Sequence, residues 1–509
     1  MLFRSNLPQM RRIPNGPFRD RCRAGSLLNS SSEANGVNEI AMQAPVQSLV
    51  PDISRKSLTQ RISVWRSAWY AAPAAGSWFY YIPMWSILPG IYAKYFGLKL
   101  TSIAAVILFI RLFDGVIDTA IGYLSDWRRA HGGSRKTWVI AGDIGVIFAC
   151  YKLFLPPPVV TTAYYLTWSI AFFLAFTIAE IPHVTWGAEL TMEYQERSKV
   201  FAVRNIVCRI GVIAFYSLPL LPISPTGEYT PQVLRNAVYI GAFMTSLGLG
   251  LAMMGAPAGI AAAKPGGDSM RLLVRSILKN KPLLIFFMAS ALLGLAVGMW
   301  FALVYFYLDS YMHLGSKIPT LFLIGYGVSI LCTPLWLEVI RRTSKATAWV
   351  TGIVLFIAQL AMATVLTPTS PSWMVFALVI AANIYFCCND IAAVSIVGDI
   401  VDYGRLTFGR DRGATYFAVN TLVFKFGLGI GGGIGLGVAG LFGFDPTATT
   451  QSGMAVVGLK VGFAGLPTVL TIFGLIFVLL TPINRRRHGI IQKRIESRLP
   501  DARLKDKYT

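Results

Sequence analysis

The stretch RLFDGVIDTAIGYLSDW, residues 111–127, places an arginine and two aspartates inside a long apolar run. Arg111, Asp114 and Asp118 are spaced by three and then four residues, so a helix presents all three on one face. An ionised carboxylate inside a bilayer is costly unless it faces water, a cation or a basic partner. The stretch therefore predicts a membrane helix with a functional polar face. A structural ion-pair network around Arg111 is the alternative.

The composition of the whole chain also predicts a membrane protein. Of its 509 residues, 54% are hydrophobic and only 14% are charged. Apolar runs of about 20 residues, long enough to cross a bilayer as helices, recur from Ser67 almost to Leu480. We therefore predict an all-α membrane protein with about twelve spanning helices. They are expected near residues 66–93, 98–122, 137–155, 160–188, 199–222, 235–258, 282–312, 317–338, 346–366, 371–398, 413–441 and 457–481.

The net charge of +22 is unevenly distributed along the chain. Basic residues concentrate in the tails and in alternate loops, whereas the remaining loops are short and poor in charge. This asymmetry is typical of the positive-inside rule rather than of a nucleic-acid surface, so we expect a lipid bilayer and no nucleic acid as partner. It predicts that both tails are cytoplasmic, and we expect the plasma membrane of a bacterium.

An internal similarity divides the chain. GYLSDWRR (122–129) resembles PLWLEVIRR (334–342), one in each series of spans. Two parallel six-helix repeats are the signature of the major facilitator architecture. The predicted segments are a cytoplasmic tail (1–65), two six-helix halves (66–258 and 282–481), a cytoplasmic linker (259–281) and a basic cytoplasmic tail (482–509). We expect the first tail to be disordered; a start at Met42 and a transit peptide are the alternatives.

Further charged residues inside the predicted spans extend the candidate ion site. Glu180 precedes Pro182, whose ring frees a backbone carbonyl, and would add a third carboxylate to Asp114 and Asp118. Lys425 is the lone cation of the eleventh span, and a buried lysine needs an acidic partner; a lysine that snorkels to the interface is the alternative. We predict that these four charged residues form the cation site, with the two aspartates as ligands of a monovalent cation, Na⁺, Li⁺ or H⁺.

The first and fifth spans supply candidate substrate contacts. WFYYIPMW (78–85) offers Trp78 and Tyr81 for stacking on a sugar ring, although packing or an interfacial aromatic belt explains the run nearly as well. Arg204 or Arg209, near the start of the fifth span, is expected to meet Glu180 or a substrate oxygen; a place at the membrane interface is the alternative. We predict that Trp78, Tyr81, Glu180 and Arg204 contact the substrate. The predicted cytoplasmic gate, with its counterpart in the other half, comprises Gly122, Asp126, Arg128, Arg129, Glu338 and Arg341.

Three other features of the spans remain without a firm role. Asp143 lies early in the third span and is expected at the membrane interface, while Arg209 and Asp390 are further charged residues within spans. The run GLGIGGGIGLGVAG (427–440) contains a formal dinucleotide-binding pattern, but no strand and no soluble βαβ unit surrounds it. Small residues that permit close helix packing explain it better.

Three blocks of the sequence resemble the glycoside–pentoside–hexuronide:cation symporters, the melibiose-permease-like family. They are RLFDGVIDTAIGYLSD (111–126), EIPHVTWGAELTMEYQERSKVFAVRN (180–205) and GDIVDYGRLTFGRDRGATYFAVNTLVFKFG (398–427). The resemblance covers spans one to eleven. It implies cation-coupled import of a sugar or glycoside by alternating access, with a coupling ion and no other cofactor. We expect no enzymatic activity and a monomer.

The resemblance also implies individual roles. Asp114 and Asp118 fall where the family has its two cation-site acids. Glu180 falls where the melibiose permease has an aspartate that serves both cation and sugar. Arg204 matches a sugar-side arginine and Lys425 a lysine near the cation site.

The sequence departs from the family at two places. Thr119 stands where the family commonly has proline. Trp78 stands where the melibiose permease has a sugar-binding aspartate. A lipid-like or other non-sugar solute, or an uncoupled uniporter, is therefore the alternative function.

Overall fold

The structure is a computed structural model. It describes residues 62–191, 194–222, 226–259, 270–408, 412–448 and 450–481, together with Ser224 and a few positions from 487 to 494. The predicted N-terminal tail up to residue 61, including Met42, most of the linker and most of the C-terminal tail lie outside the described residues. Within the described ranges the chain is helical and contains no strand, which confirms the all-α prediction.

The described helices overlap the predicted spans, and two of them continue eight to ten residues beyond the predicted ends. They are α1 (Val64–Ser86), α2 (Leu88–Phe96), α3 (Leu100–Ala130), α4 (Arg135–Phe154), α5 (Thr162–Glu189), α6 (Tyr194–Ser217), α7 (Pro231–Gly255), α8 (Met270–Lys279), α9 (Lys281–Phe306), α10 (Ile318–Arg342), α11 (Lys345–Val365), α12 (Ser372–Phe408), α13 (Gly413–Leu441), α14 (Gly453–Lys460) and α15 (Leu466–Leu480). A π-helical turn, Tyr307–Tyr311, extends α9, and another, Val461–Gly465, joins α14 to α15. Counting such joined helices once, eleven in the described chain are long and apolar enough to cross a membrane.

The first predicted span, 66–93, is divided in two. The helix breaks at Ile87, whose backbone lies at φ −120° and ψ −46°. Pro89 sits in the first turn of α2, where its missing N–H costs nothing. α1 is not among the eleven helices that meet the length and hydropathy expected of a membrane span, although it packs among them.

Contacts between helices repeat from one half of the chain to the other. In the N-terminal half, α1 packs against α6 and α7, α4 against α5, and α3 against α5. In the C-terminal half, α9 packs in the same way against α13 and α15, α11 against α12, and α10 against α12. Two parallel copies of one six-helix unit produce this correspondence. Between the halves, α3 lies along α13 and α6 contacts α10.

The glycine-rich run of α13 provides close helix packing. A Cβ atom on Gly298 of α9 would lie 2.0 Å from the carbonyl oxygen of Leu428, and one on Gly431 of α13 would lie 2.1 Å from that of Leu295. Only glycine allows the two backbones to approach so closely. The run therefore acts in packing, as its membrane context indicated.

The two halves are also joined at one end of the bundle. We call the end that carries the basic loops the basic end, and the other the opposite end. At the opposite end Lys94 Nζ of α2 lies 2.8 Å from Asp309 Oδ2, just beyond α9, and Tyr305 fills the space beside Gly90. Near mid-depth, by contrast, the side chain of Asp390 is 66% exposed. The halves therefore close at the opposite end and leave a space that reaches the middle of the bundle.

Candidate cation and substrate site

Two aromatic rings pack against Arg111 on the charged face of α3. Arg111 Nη1 donates to Asp114 Oδ2 at 2.9 Å, and only 5% of the arginine side chain is exposed. Its guanidinium carbon lies 3.4 Å from the ring centre of Trp85 and 5.5 Å from that of Phe173. Stacking on aromatic faces compensates part of the lost hydration of a buried guanidinium. Arg111 is thereby fixed beside Asp114.

Asp118 connects three helices. Thr177 Oγ1 of α5 donates to its Oδ1 atom at 2.9 Å, and Lys425 Nζ of α13 donates to Oδ2 at 3.2 Å. The second contact crosses from one half to the other. The lysine is therefore paired with one of the two aspartates predicted as its partners. The lysine side chain is 41% exposed.

A small cavity separates the two aspartates. Its volume is about 10 Å³, close to the space that one water-sized species needs. Its lining residues are Arg111, Asp114, Gly115, Asp118, Leu422, Lys425 and Phe426. The cavity therefore brings together three of the four residues predicted for the cation site.

Glu180, the fourth predicted member, has a separate partner. Arg204 Nη2 lies 2.5 Å from Glu180 Oε2, and both side chains are largely buried. Among the described residues, no group of three or more His, Cys, Asp or Glu side chains is arranged to hold a metal ion. The expected three-carboxylate cluster is therefore not assembled in this conformation. Thr177, which bonds Asp118, precedes Glu180 by about one helical turn and links the two parts of the site.

Aromatic side chains of α1 and α5 pack against one another. Tyr81 stacks on Phe176 with ring centres 4.3 Å apart, and Trp78 lies 5.3 Å from Tyr81. Tyr81 faces a cavity of about 100 Å³ between the halves, whereas Trp78 is not among its lining residues. That cavity is lined by Tyr81, Ile82, Trp85, Ile107, Arg111, Gly298, Phe301, Ala302, Leu428 and Gly432. The interior between the halves therefore offers an apolar, aromatic surface with one arginine.

The predicted gate residues on α3 converge on two residues that the sequence analysis did not select. Arg135, at the start of α4, lies 2.6 Å from Asp126 and 3.0 Å from Glu189. Arg129 lies 3.1 Å from the same glutamate, whereas Arg128 is exposed. Arg135 ties the basic ends of α3, α4 and α5 together. Arg135 stands close to the predicted start of the third span, but its partner Glu189 is distant in sequence, so the pair was not predicted.

The counterpart in the other half is more exposed. Glu338 lies 2.7 Å from Arg341 and 2.5 Å from Arg342, both on its own helix α10. In the N-terminal half, Gly122 has only Ile181 near the position of a Cβ atom, at 4.0 Å. The gate residues of the two halves therefore form separate clusters in this conformation.

Asp143 is not interfacial, contrary to the expectation from the sequence. Its residue is 1% exposed, and Ser77 Oγ of α1 donates to its Oδ1 atom at 2.7 Å. It lies about 12 Å along α4 from Arg135, and neighbouring Gly142 packs directly on the backbone of Ala179. The close approach of α4 and α5 buries this carboxyl, and a single sequence does not reveal that packing.

Comparison with known proteins places this architecture in a family. Residues 69–485 match the family described as MFS/sugar transport protein. The chain belongs to this family. It is therefore a multi-pass membrane transporter of the major facilitator superfamily and not an enzyme, and the predicted fold of two six-helix halves is confirmed.

Individual relatives are distant but extend over most of the chain. A symporter of Bacillus subtilis, YjmB, is 23% identical over 393 residues, 72% of this chain and 82% of the relative. A putative glycoside/cation symporter of Escherichia coli, YagG, is 23% identical over 401 residues, 75% of this chain and 84% of the relative. The crystal structure of the nucleoside transporter NupG superimposes with a TM-score of 0.57 at 16% identity, covering 82% of this chain and 99% of that chain. These similarities support a sugar transporter of this superfamily.

Proposed function

We propose that the protein imports a sugar or glycoside together with Na⁺, Li⁺ or H⁺, and that both tails lie on the cytoplasmic side of a bacterial plasma membrane. The observation that carries the proposal is the double engagement of Asp118, by Thr177 within its own half and by Lys425 from the other half. When the halves move relative to each other, a carboxylate shared in this way gains or loses one of its partners. An ion that competes for it would couple ion binding to their movement.

Charge balance supports a competition between the ion and Lys425. Arg111, Asp114, Asp118 and Lys425 carry two positive and two negative charges, so the cluster is neutral. A further cation leaves an unbalanced positive charge in a partly buried site unless Lys425 moves away. We expect Na⁺ or Li⁺ to take the oxygen ligands of the aspartates while the ammonium moves into water. Protonation of an aspartate would release the lysine equally well.

The remaining predicted residues belong to the solute site and the gate in this proposal. Tyr81 lines the cavity between the halves and would contact the solute; Trp78 and the buried pair of Glu180 and Arg204 would contact it once the halves move. Asp126, Arg129 and Glu338 would hold the basic end shut when the opposite end opens. By the positive-inside rule the basic end is cytoplasmic. The present arrangement, closed at the opposite end, then corresponds to an inward-facing state.

Gradient-driven uptake in proteoliposomes tests the proposal. Radiolabelled methyl α-galactoside, methyl β-glucoside and xylose are offered with an inward gradient of Na⁺, Li⁺ or H⁺, or with none, to the wild type, Asp118→Asn and the loop variant Asp445→Asn. We expect accumulation above equilibrium that needs one of these gradients, is lost in Asp118→Asn and is retained in Asp445→Asn. Equal uptake with and without gradients would identify a uniporter. Absence of sugar uptake, with binding of lysophospholipid instead, would favour the lipid-like alternative.

A further inference from the structure

Besides the pairs of Lys425 with Asp118 and of Lys94 with Asp309, the described residues include a third ion pair between the halves, on the side where α6 contacts α10. Arg209 Nη2 of α6 lies 3.8 Å from Asp390 Oδ2 of α12. Both residues lie well inside membrane-length helices, Tyr194–Ser217 and Ser372–Phe408. Their side chains are 35% and 66% exposed. Since ionised side chains within membrane spans face water or protein rather than lipid, both border an open aqueous space between the halves.

This pair is only loosely engaged. A separation of 3.8 Å is beyond hydrogen-bond distance. Lys94 and Asp309, the pair that closes the opposite end, are 2.8 Å apart, and only 4% of the aspartate side chain is exposed. Arg209 therefore keeps donors, and Asp390 acceptors, that a solute in this space can use.

Tyrosines pack beside this ion pair. Tyr326 of α10 is near enough to both Arg209 and Asp390 to interact with their charges. Its ring centre lies 5.5 Å from that of Tyr216 on α6, whose hydroxyl is 3.1 Å from Ser86 Oγ. Arg209 and Asp390 thus border the space, and the buried hydroxyls of Tyr216 and Ser86 lie behind Tyr326.

We propose that Arg209 and Asp390 form a specificity-determining subsite that binds adjacent hydroxyl groups of a neutral, polyhydroxylated solute. A carboxylate accepts hydrogen bonds from two hydroxyls, and a guanidinium donates to the oxygens of two more. Such a solute bridges the two charges and so draws α6 and α12 together. The subsite rests on the proposed function, because it specifies which hydroxyl groups of an imported sugar the protein recognises.

The test compares variants of the pair with a matched control. Asp390→Asn, Arg209→Gln and the exchange Arg209→Asp with Asp390→Arg are reconstituted beside Lys345→Gln. The control breaks an ion pair with Asp399, 2.6 Å long, within the C-terminal half. Uptake kinetics are measured for whichever of the three sugars the wild type transports best, and for its monodeoxy analogues. Melting temperatures in NaCl, LiCl and choline chloride report the cation site separately.

Loss of a hydrogen bond to a charged group predicts a rise of about 10- to 100-fold in KM for Asp390→Asn and Arg209→Gln. We expect kcat within about twofold of the wild type and an unchanged ion-dependent melting shift. The analogue that lacks the recognised hydroxyl should have a raised KM in the wild type, and the variant should not raise that KM further. Unchanged KM, or full recovery in the charge exchange, would identify a merely structural ion pair and overturn the subsite while leaving the proposed function intact. Failure of the wild type to transport any of the sugars would overturn both.

Discussion

Replacing Lys94 with alanine tests how the opposite end is held closed. Lys94 Nζ and Asp309 Oδ2 are 2.8 Å apart, and 4% of the aspartate side chain is exposed. At an effective dielectric constant of about 20, two unit charges at this distance attract by about 6 kcal/mol before hydration is counted. In Lys94→Ala the buried Asp309 carboxylate has lost its partner in the closed state. In the open state water hydrates this carboxylate, so the substitution raises the free energy of the closed state alone. A net effect of about 1–3 kcal/mol would shift the equilibrium about 5- to 150-fold toward opening.

Spin-label distances measure this shift directly. Labels at Thr226 and Lys317, both exposed at the opposite end of different halves, report opening by double electron–electron resonance. We expect Lys94→Ala to add a population at longer distance. Lys99→Ala is the matched control, because that exposed lysine lies at the same end and should leave the distribution unchanged. Identical distributions in both variants would refute the reasoning that this ion pair holds the end closed.

Two further variants probe the interior. Arg135→Ala leaves Glu189 largely buried with less compensation, so we expect a loss of about 3 kcal/mol of stability and a lower melting temperature; an unchanged melting temperature would contradict the anchoring role. In Gly429→Ala the added Cβ would lie 1.7 Å from Arg111 Cγ, so the arginine must leave its place between α3 and α13. Uptake should fall severely there but persist in Gly398→Ala, where the added atom meets nothing within 4 Å; equal activity of the two would argue against a role for this contact.

The sequence predicted those parts of the structure that follow from local pattern or from the cost of buried charge. Helical spacing placed Asp114 and Asp118 on one face of α3, and the need of a buried lysine for an acid indicated the partner of Lys425. Apolar length located the long helices, although α3 and α12 continue to Ala130 and Phe408, well beyond their predicted ends at 122 and 398. The break at Ile87 was missed, because prolines near the end of a span do not by themselves show whether the helix bends or stops.

Contacts between distant segments were beyond the reach of a single sequence. Ser77 and Asp143 meet only because α1, α4 and α5 pack closely. Arg135 and Glu189 are 54 positions apart, and Arg209 and Asp390 belong to different halves. Glu180 was grouped with the ion site because of its carboxylate, its neighbour Pro182 and the family resemblance. In the structure Arg204, 24 positions along the chain, donates to it, and this contact, unlike the others, was among those expected.

Ion-dependent thermal stability is the most direct test of the claim that Asp118 and Asp114 form the coupling site. The purified protein is melted in NaCl, LiCl, KCl and choline chloride at equal ionic strength, across pH, together with Asp118→Asn, Asp114→Asn and the control Asp445→Asn. An ion at about 100 times its dissociation constant should stabilise the fold by about 2.7 kcal/mol. The account predicts a shift specific to Na⁺ or Li⁺, or a pH-dependent shift for H⁺, that both site variants lose and the control keeps. A shift that persists in both site variants, or a wild type that responds to neither salt nor pH, would contradict it.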